Sequence, residues 1–154
     1  MKDKQPKENY LVFKGVHHEL TESIIGLFFD VYNTLGYGFL EKVYENALII
    51  ALRKQGLHVV QQQGIRVYYE GEVAGTYYAD IIVERKVILE IKVAEKISEA
   101  HIAQLDNYLR ATDAQVGLVL NFGRKPEFRR RIHSNKSKPH HTSIQQEENP
   151  RKSA

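Results

Sequence analysis

The stretch ADIIVERKVILEIKV, residues 79–93, carries the plainest structural signal in the chain. Two runs of mostly β-branched and apolar residues lie on either side of the polar break Glu84-Arg85-Lys86. Such runs around a short polar break are typical of two antiparallel strands joined by a tight turn. The stretch therefore predicts a β-hairpin, whose strands extend back to Val73 and forward to Val93.

The register of this hairpin decides which side chains meet. If the turn is centred on Arg85, Asp80 lies opposite Glu90, and their Cβ atoms are about 5 Å apart on one face. Lys92 follows Glu90 by two residues and shares that face. A shift of one residue would separate the two carboxylates across the sheet. The other face carries the apolar side chains of Ile81, Val83, Leu89, Ile91 and Val93.

Two carboxylates and one ammonium on a single face suit a divalent metal. Adjacent carboxylates repel unless a cation neutralises them, and Mg²⁺ binds one or two carboxylates while it keeps several waters. Such an ion polarises a phosphoryl oxygen and activates a bound water, which Lys92 could orient or deprotonate. The set therefore suits phosphodiester hydrolysis. The spacing alone also allows a second interpretation, an ion pair between strands on an exposed face.

Apolar residues at helical spacing predict two helices before the hairpin. The first begins near Glu19, with Thr21 as its N-cap, and ends at Gly36. The second covers residues 40–55. A strand over residues 59–69 then precedes the hairpin, because its second half alternates between apolar and polar side chains.

A third helix and a fourth strand follow the hairpin. Ser98 is the predicted N-cap of a helix that ends near Arg110, and residues 116–122 form an apolar run typical of a strand buried on both faces. The predicted order is α-α-β-β-β-α-β, an α/β fold of the α+β kind. The first three strands form a meander, and the last joins the sheet after a crossover.

Polar residues on two of the predicted helices are candidates for the same site. Glu41 and Glu45 lie four residues apart on one helix face, so they either add carboxylates to the metal site or form a solvated first turn. Gln104 and Tyr108 share a face with His101, and they either contact substrate or lock their helix to the sheet.

Length and composition exclude several classes of protein. The chain has 154 residues with 42% hydrophobic and 27% charged residues, which suits one domain. It has no cysteine, which excludes thiol catalysis and cysteine-bound zinc. No apolar run approaches the ~20 residues of a membrane helix, and the charged N-terminus is unlike a signal peptide. We expect a cytoplasmic protein with no membrane partner.

The net charge of +3 is unevenly distributed. Residues 124–154 contain nine Lys and Arg against three Asp and Glu, whereas residues 15–123 are net acidic. We predict a flexible leader over residues 1–18, a folded domain over 19–133, and a disordered basic tail over 134–154. The tail either holds a phosphate backbone non-specifically or is simply solvated. His140 and His141 within it are weak candidates for metal ligands.

These motifs together resemble a known family. Residues 38–44, GFLEKVY, match the Gly-x-x-Glu-x-x-Tyr signature of the bacterial GxxExxY protein family, which is placed in the PD-(D/E)XK nuclease superfamily. The resemblance extends from about residue 20 to residue 123. It includes Ile24-Ile25-Gly26, Leu35-Gly36-Tyr37-Gly38, Tyr44-Glu45-Asn46-Ala47-Leu48, Ala79-Asp80, Glu90-Ile91-Lys92, Gln104-Leu105 with Tyr108-Leu109, and Asn121-Phe122-Gly123.

The resemblance implies a restriction-endonuclease-like core and assigns roles to residues of the hairpin. The superfamily pattern has an Asp on the second core strand and Glu-x-Lys on the third. It therefore implies that Asp80 and Glu90 bind Mg²⁺, with Mn²⁺ as a substitute, and that the Ile91 carbonyl is a backbone ligand. It also implies that Lys92 is the catalytic lysine.

The resemblance also implies roles on the helices. Glu45 or Glu41 would supply the acidic residue of the first core helix, with Glu45 in the catalytic set and Glu41 near substrate. Gln104 and Tyr108 would contact substrate, as the Gln-x-x-x-Tyr element does in related nucleases. The expected function is a Mg²⁺-dependent nuclease that acts on DNA in preference to RNA.

Two other functions are compatible with the sequence. The first is a catalytically inactive nucleic-acid- or protein-binding module on the same fold. The net acidic core favours it, because a nuclease groove usually carries positive potential. The second is a metal-independent homodimer that uses Tyr44, Leu48 and Leu52 as an interface, although these residues are also suited to packing on the sheet.

Overall fold

Three α-helices and a five-stranded sheet make up residues 16–138, the part of the chain that the computed structural model describes. The helices are α1 (His18–Leu35), α2 (Glu41–Lys54) and α3 (Glu99–Arg110). The strands are β1 (Val59–Tyr69), β2 (Glu72–Val83), β3 (Val87–Lys92), β4 (Val116–Phe122) and β5 (Pro126–Ile132). The predicted order is confirmed, with β5 added at its end.

The five strands form one sheet in the order β1-β2-β3-β4-β5. β1, β2 and β3 pair antiparallel, which confirms the predicted meander. β4 lies parallel to β3, because α3 carries the chain back between them. All seven residues of β4 are buried, as its continuous apolar run predicted.

The register of the hairpin is confirmed. The pairs of the β2–β3 ladder, centred on Arg85, are Ile81 with Leu89, Ile82 with Ile88, and Val83 with Val87. Glu84 and Arg85 in the turn have positive φ angles of 54° and 56°, a left-handed pair that suits the twist of a tight hairpin. This register places Asp80 and Glu90 level with each other, one step beyond the ladder.

Helices cover both faces of the sheet. α1 and α2 pack on the face that carries Ile81, Leu89 and Ile91, and α3 packs on the face that carries Ile82 and Ile88. The side chains of α2 that the dimer hypothesis requires are fully buried in the protein's own core: Tyr44, Leu48 and Leu52. That interface is therefore wrong.

The two predicted helix caps have different outcomes. Ser98 is confirmed, because its Oγ accepts the His101 N–H at 3.2 Å and the Ser98 N–H donates to His101 Nδ1 at 3.0 Å. Such reciprocal bonding satisfies two free donors of the first turn. Thr21 is wrong as a cap. α1 already begins at His18, and the Thr21 hydroxyl donates to the His18 carbonyl at 2.9 Å inside the first turn.

The C-terminal part of the domain departs from the prediction. β5 is an edge strand paired only with β4, and its arginine-rich sequence lacks a buried alternation that would predict a strand. After the predicted domain end at residue 133, residues 135–137 form a short 3₁₀ helix. The Lys138 ammonium donates to the carbonyls of Thr112 and Ala114 at 3.0 and 2.6 Å.

Some predictions concern residues beyond this range. Most of the leader, and most of the tail with His140 and His141, lie outside the described residues. Within residues 16–138, no helix is long and apolar enough to span a membrane.

Gly123 offers a test of how the end of β4 meets the end of β3. A Cβ atom at this position would overlap the Ala94 carbonyl oxygen, which also accepts a hydrogen bond from the Asn121 amide at 3.0 Å. We expect Gly123→Ala to lower the free energy of unfolding by about 2–3 kcal/mol, because backbone must shift to make room. Urea titration followed by circular dichroism measures this change.

The matched control is Gly26→Ala, at an exposed helical glycine with nothing within 4 Å of the added Cβ. Its expected effect is a gain of up to about 1 kcal/mol from the better helix propensity of alanine. Equal effects of the two substitutions would contradict the close packing at Gly123.

Candidate metal centre

Asp80 and Glu90 connect their strands through their side chains at the point where the backbone ladder stops. The last pair of the ladder is Ile81 with Leu89. One step further, the Asp80 N–H donates to Glu90 Oε2 at 3.0 Å, and the Ile91 N–H donates to Asp80 Oδ2 at 2.7 Å. The two carboxylates therefore lie together between the strands, as the register predicted.

Burial disfavours the charged forms of this pair. Glu90 is only 3% exposed, and burial, then the charge of Asp80, raises its pKa well above the ordinary value. Burial likewise raises the pKa of Asp80 to about 6, although the hydrogen bond from the Ile91 N–H opposes the shift. Near neutral pH the pair therefore needs a proton or a cation between its carboxylates.

Lys92 lies beside the carboxylates without pairing with them. Its charge lowers the pKa of Asp80 and of Glu90, yet among the described residues it forms no salt bridge. Its Nζ donates instead to Gln104 Oε1 at 3.4 Å, and Gln104 Nε2 donates to the Tyr108 hydroxyl at 2.9 Å. With Glu90 buried and Lys92 unpaired, the interpretation as an exposed ion pair is wrong.

Glu45 reaches the centre through a glutamine. It is 2% exposed, so the interpretation as a solvated first turn is wrong for this residue. Its Oε2 accepts hydrogen bonds from the side-chain amides of Gln61 at 2.8 Å and Gln62 at 3.1 Å, and its Oε1 pairs with Lys42 at 3.2 Å. The Gln62 amide also lies 3.4 Å from Asp80 Oδ1. Gln62 thus links the helix carboxylate to the strand carboxylate.

Gln62 is a site residue that the sequence pattern did not reveal. Its φ of 57° lies in the left-handed region, which non-glycine residues rarely adopt and which interrupts the alternation of a strand. Strained backbone of this kind occurs often at functional sites. The only signal in the sequence is the polar run of residues 61–63 within a mostly apolar strand.

The remaining predicted residues lie around the same centre. Glu41 is exposed at the start of α2, and its charge contributes to the raised pKa of Asp80. Tyr108 is 6% exposed and packs in the core beneath α3, so it does lock this helix to the sheet. Burial, and then the charge of Glu90, raises the pKa of its phenol to about 12, which shows that its hydroxyl is also near the carboxylates.

The donor set fits a hard divalent cation. Each carboxylate gives one oxygen to a backbone N–H, and among the described residues no hydrogen bond reaches Glu90 Oε1. Residues 16–138 contain no group of three His, Cys, Asp or Glu side chains arranged around a metal. A cation here would therefore bind Asp80, Glu90, backbone carbonyls and water, a set that suits Mg²⁺.

The family model of the PD-(D/E)XK nuclease superfamily matches residues 18–131, from the first residue of α1 almost to the end of β5. The chain belongs to this superfamily. Its mixed fold of helices and a five-stranded sheet fits the restriction-endonuclease-like core predicted from the sequence. Membership in the PD-(D/E)XK superfamily indicates a nuclease-like function, and nucleases of this superfamily generally use divalent metal ions.

Two other comparisons add little to this PD-(D/E)XK assignment. A solved structure described as "Crystal structure of SSO0001" is similar at 17% sequence identity with a TM-score of 0.46, over 60% of this chain and 50% of that one. The chain therefore spans half the length of that protein. No curated protein matches the sequence.

Removing the charge of Asp80 should stabilise the protein, because burial disfavours the charged form of this carboxyl group. We expect Asp80→Asn to raise the free energy of unfolding near pH 8, without metal, by on the order of 2 kcal/mol. The asparagine carbonyl keeps an acceptor for the Ile91 N–H and removes the buried charge. The gain should shrink as the pH falls from about 6 to about 4. Over this range Asp80 is protonated in the folded wild-type protein, and near pH 4 it becomes protonated in the unfolded chain too.

Urea titrations at several pH values measure this dependence, with Asp30→Asn at an exposed site on α1 as the control. The control should change stability by less than about 0.5 kcal/mol at every pH. A variant Asp80→Asn that is less stable than the wild type near pH 8 would contradict the effect of burial.

Proposed function

We propose that the protein is a Mg²⁺-dependent nuclease that hydrolyses phosphodiester bonds, with DNA preferred to RNA. One observation carries the proposal: the half-buried carboxylate of Asp80 and the buried carboxylate of Glu90, each hydrogen-bonded to the opposite strand, lie beside the ammonium of Lys92. A structural role alone gives no reason to bury two adjacent carboxylates, since they destabilise each other without a cation. The preference for DNA and membership of the GxxExxY family rest on the sequence resemblance.

In this proposal, Asp80, Glu90 and the Ile91 carbonyl would hold the metal. A cation held there would polarise a phosphoryl oxygen and lower the pKa of a bound water. Lys92 is the catalytic lysine, and Gln104 holds its Nζ at 3.4 Å. From that position the ammonium orients the attacking water and stabilises the negative charge that develops on the phosphoryl oxygens.

We assign Glu45 a positioning role in place of the catalytic role predicted from the sequence. Its carboxylate binds the amides of Gln61 and Gln62, so it acts on Asp80 through Gln62. Glu41 remains exposed at the mouth of the centre. A carboxylate repels a phosphate, so we propose that Glu41 contacts metal-bound water and not the substrate itself.

Lys92→Ala is the decisive variant for catalysis. We expect it to lower the rate of nucleic-acid cleavage by on the order of 100-fold or more, the usual effect of losing a group that stabilises charge in the transition state. The control is Lys96→Ala, which removes an exposed lysine four residues along the chain and should leave the rate unchanged. The assay uses labelled single- and double-stranded DNA and RNA with Mg²⁺ or Mn²⁺.

Calorimetry with Mg²⁺ separates the nuclease from the inactive binding module. We expect the wild type to bind the ion and Glu90→Gln to lose most of that affinity. Cleavage that persists in Lys92→Ala would overturn the assignment of the lysine. A wild type that binds no metal and cleaves nothing would favour the inactive module.

A further inference from the structure

A groove of about 800 Å³ lies next to the metal centre, between the β1–β2 hairpin and α3. This volume is in the range of sites that bind small ligands, roughly 300–1,000 Å³. Its lining includes Tyr68, Tyr77, Ala103, Gln104, Asn107 and Tyr108. The groove therefore combines aromatic rings with amide and hydroxyl groups.

The aromatic wall is accessible. Tyr77 is 52% exposed, and its ring centroid lies 6.0 Å from that of the buried Tyr108. Tyr68 lines the groove from the neighbouring strand. A half-exposed tyrosine supported by a second aromatic ring is a surface on which a planar base can stack.

The groove is continuous with the proposed catalytic machinery. Gln104 and Tyr108 line it, and the same two side chains form the hydrogen-bonded chain that ends at Lys92. A group bound in the groove therefore lies beside the lysine and the carboxylates. Because Gln104 and Tyr108 belong to both, a base in the groove and a phosphate at the carboxylates would be neighbouring parts of one nucleotide chain.

The charge of the groove also suits a polynucleotide. Among residues 16–138, no Asp or Glu lines it, although the carboxylates of Asp80 and Glu90 lie beside it. Arg110 contributes a cation to its lining and His101 an imidazole, and the side-chain amides of Asn107 and Gln104 add further polar groups. An anionic chain can thus enter the groove without meeting a carboxylate.

We propose that this groove binds an unpaired nucleobase next to the phosphate at the metal centre, so that the substrate is a single-stranded polynucleotide. The identity of that phosphate as the cleaved one rests on the proposed nuclease function, whereas base binding rests on the groove itself. A base within a duplex is stacked on both faces and paired along its edge. It could enter only after unstacking, which costs a few kcal/mol of pairing and stacking.

The test measures binding of short labelled oligonucleotides to the full chain in a Lys92→Ala background with Mg²⁺, where cleavage is silenced. The probes are single-stranded DNA, single-stranded RNA, duplex DNA and an abasic strand of equal length. We expect a single strand with bases to bind on the order of tenfold more tightly than the duplex or the abasic strand. The DNA and RNA arms show which sugar the groove accepts.

Variants of the groove locate the binding. Tyr77→Ala should lose on the order of tenfold in affinity for the single strand, while Tyr77→Phe should retain it because the ring remains. The matched control is Tyr69→Ala, since Tyr69 is 71% exposed and does not line the groove. Ala103→Leu fills the groove from the exposed surface of α3, and it should weaken binding without removing any existing contact.

The outcomes separate the two proposals. Equal affinity for the single strand, duplex and abasic strand, or no effect of Tyr77→Ala and Ala103→Leu, overturns base binding in the groove. If wild type then still cleaves with metal, the nuclease proposal survives. Base-dependent binding lost in Tyr77→Ala, with no cleavage by wild type in any metal, supports the groove and overturns the nuclease.

Discussion

The site depends on two hydrogen bonds across the hairpin, in which the Glu90 carboxylate accepts the Asp80 N–H and the Asp80 carboxylate accepts the Ile91 N–H. Each carboxylate accepts a backbone N–H from the opposite strand, so it replaces a carbonyl that regular pairing would supply. The strands can leave their ladder without exposing unsatisfied donors in the interior. Burial raises the pKa of both carboxyl groups, so their charged forms lower the stability of the fold.

The three residues of the Gly-x-x-Glu-x-x-Tyr motif have different positions: Gly38 and Tyr44 hold the fold, and Glu41 lies near the site. Gly38 has a φ of 119°, which only glycine adopts readily. The Tyr44 hydroxyl accepts the Phe39 N–H at 3.2 Å and donates to the Gly36 carbonyl, while its ring stacks on Phe122 at 4.5 Å. These residues fix the loop before α2, whereas Glu41 is exposed and its charge contributes to the raised pKa of Asp80. The motif therefore sets the position of α2, from which Glu45 reaches Gln62.

Features of the site that depend on residues close together in the sequence could be predicted, whereas features that depend on distant residues could not. The register of Asp80 and Glu90 follows from local alternation around a short turn, so the sequence reveals it. The left-handed Gln62 does not, because a glutamine carries no preference for positive φ and only its tertiary partners hold it there. β5 escaped prediction because an edge strand rich in arginine buries little apolar surface. The seat of Lys138 depends on carbonyls more than twenty residues away, which no local pattern encodes.

The contacts of Lys138 lie at the end of β4 that points away from the carboxylates. Thr112 and Ala114, whose carbonyls hold its ammonium, lead into the start of β4, whereas Asn121, near the far end of that strand, lies level with Lys92 in the parallel pairing. The length of a seven-residue strand, about 20 Å, therefore separates these contacts from the carboxylates. A substitution of Lys138 would consequently disturb one end of β4 and leave the other end, beside Lys92, in place.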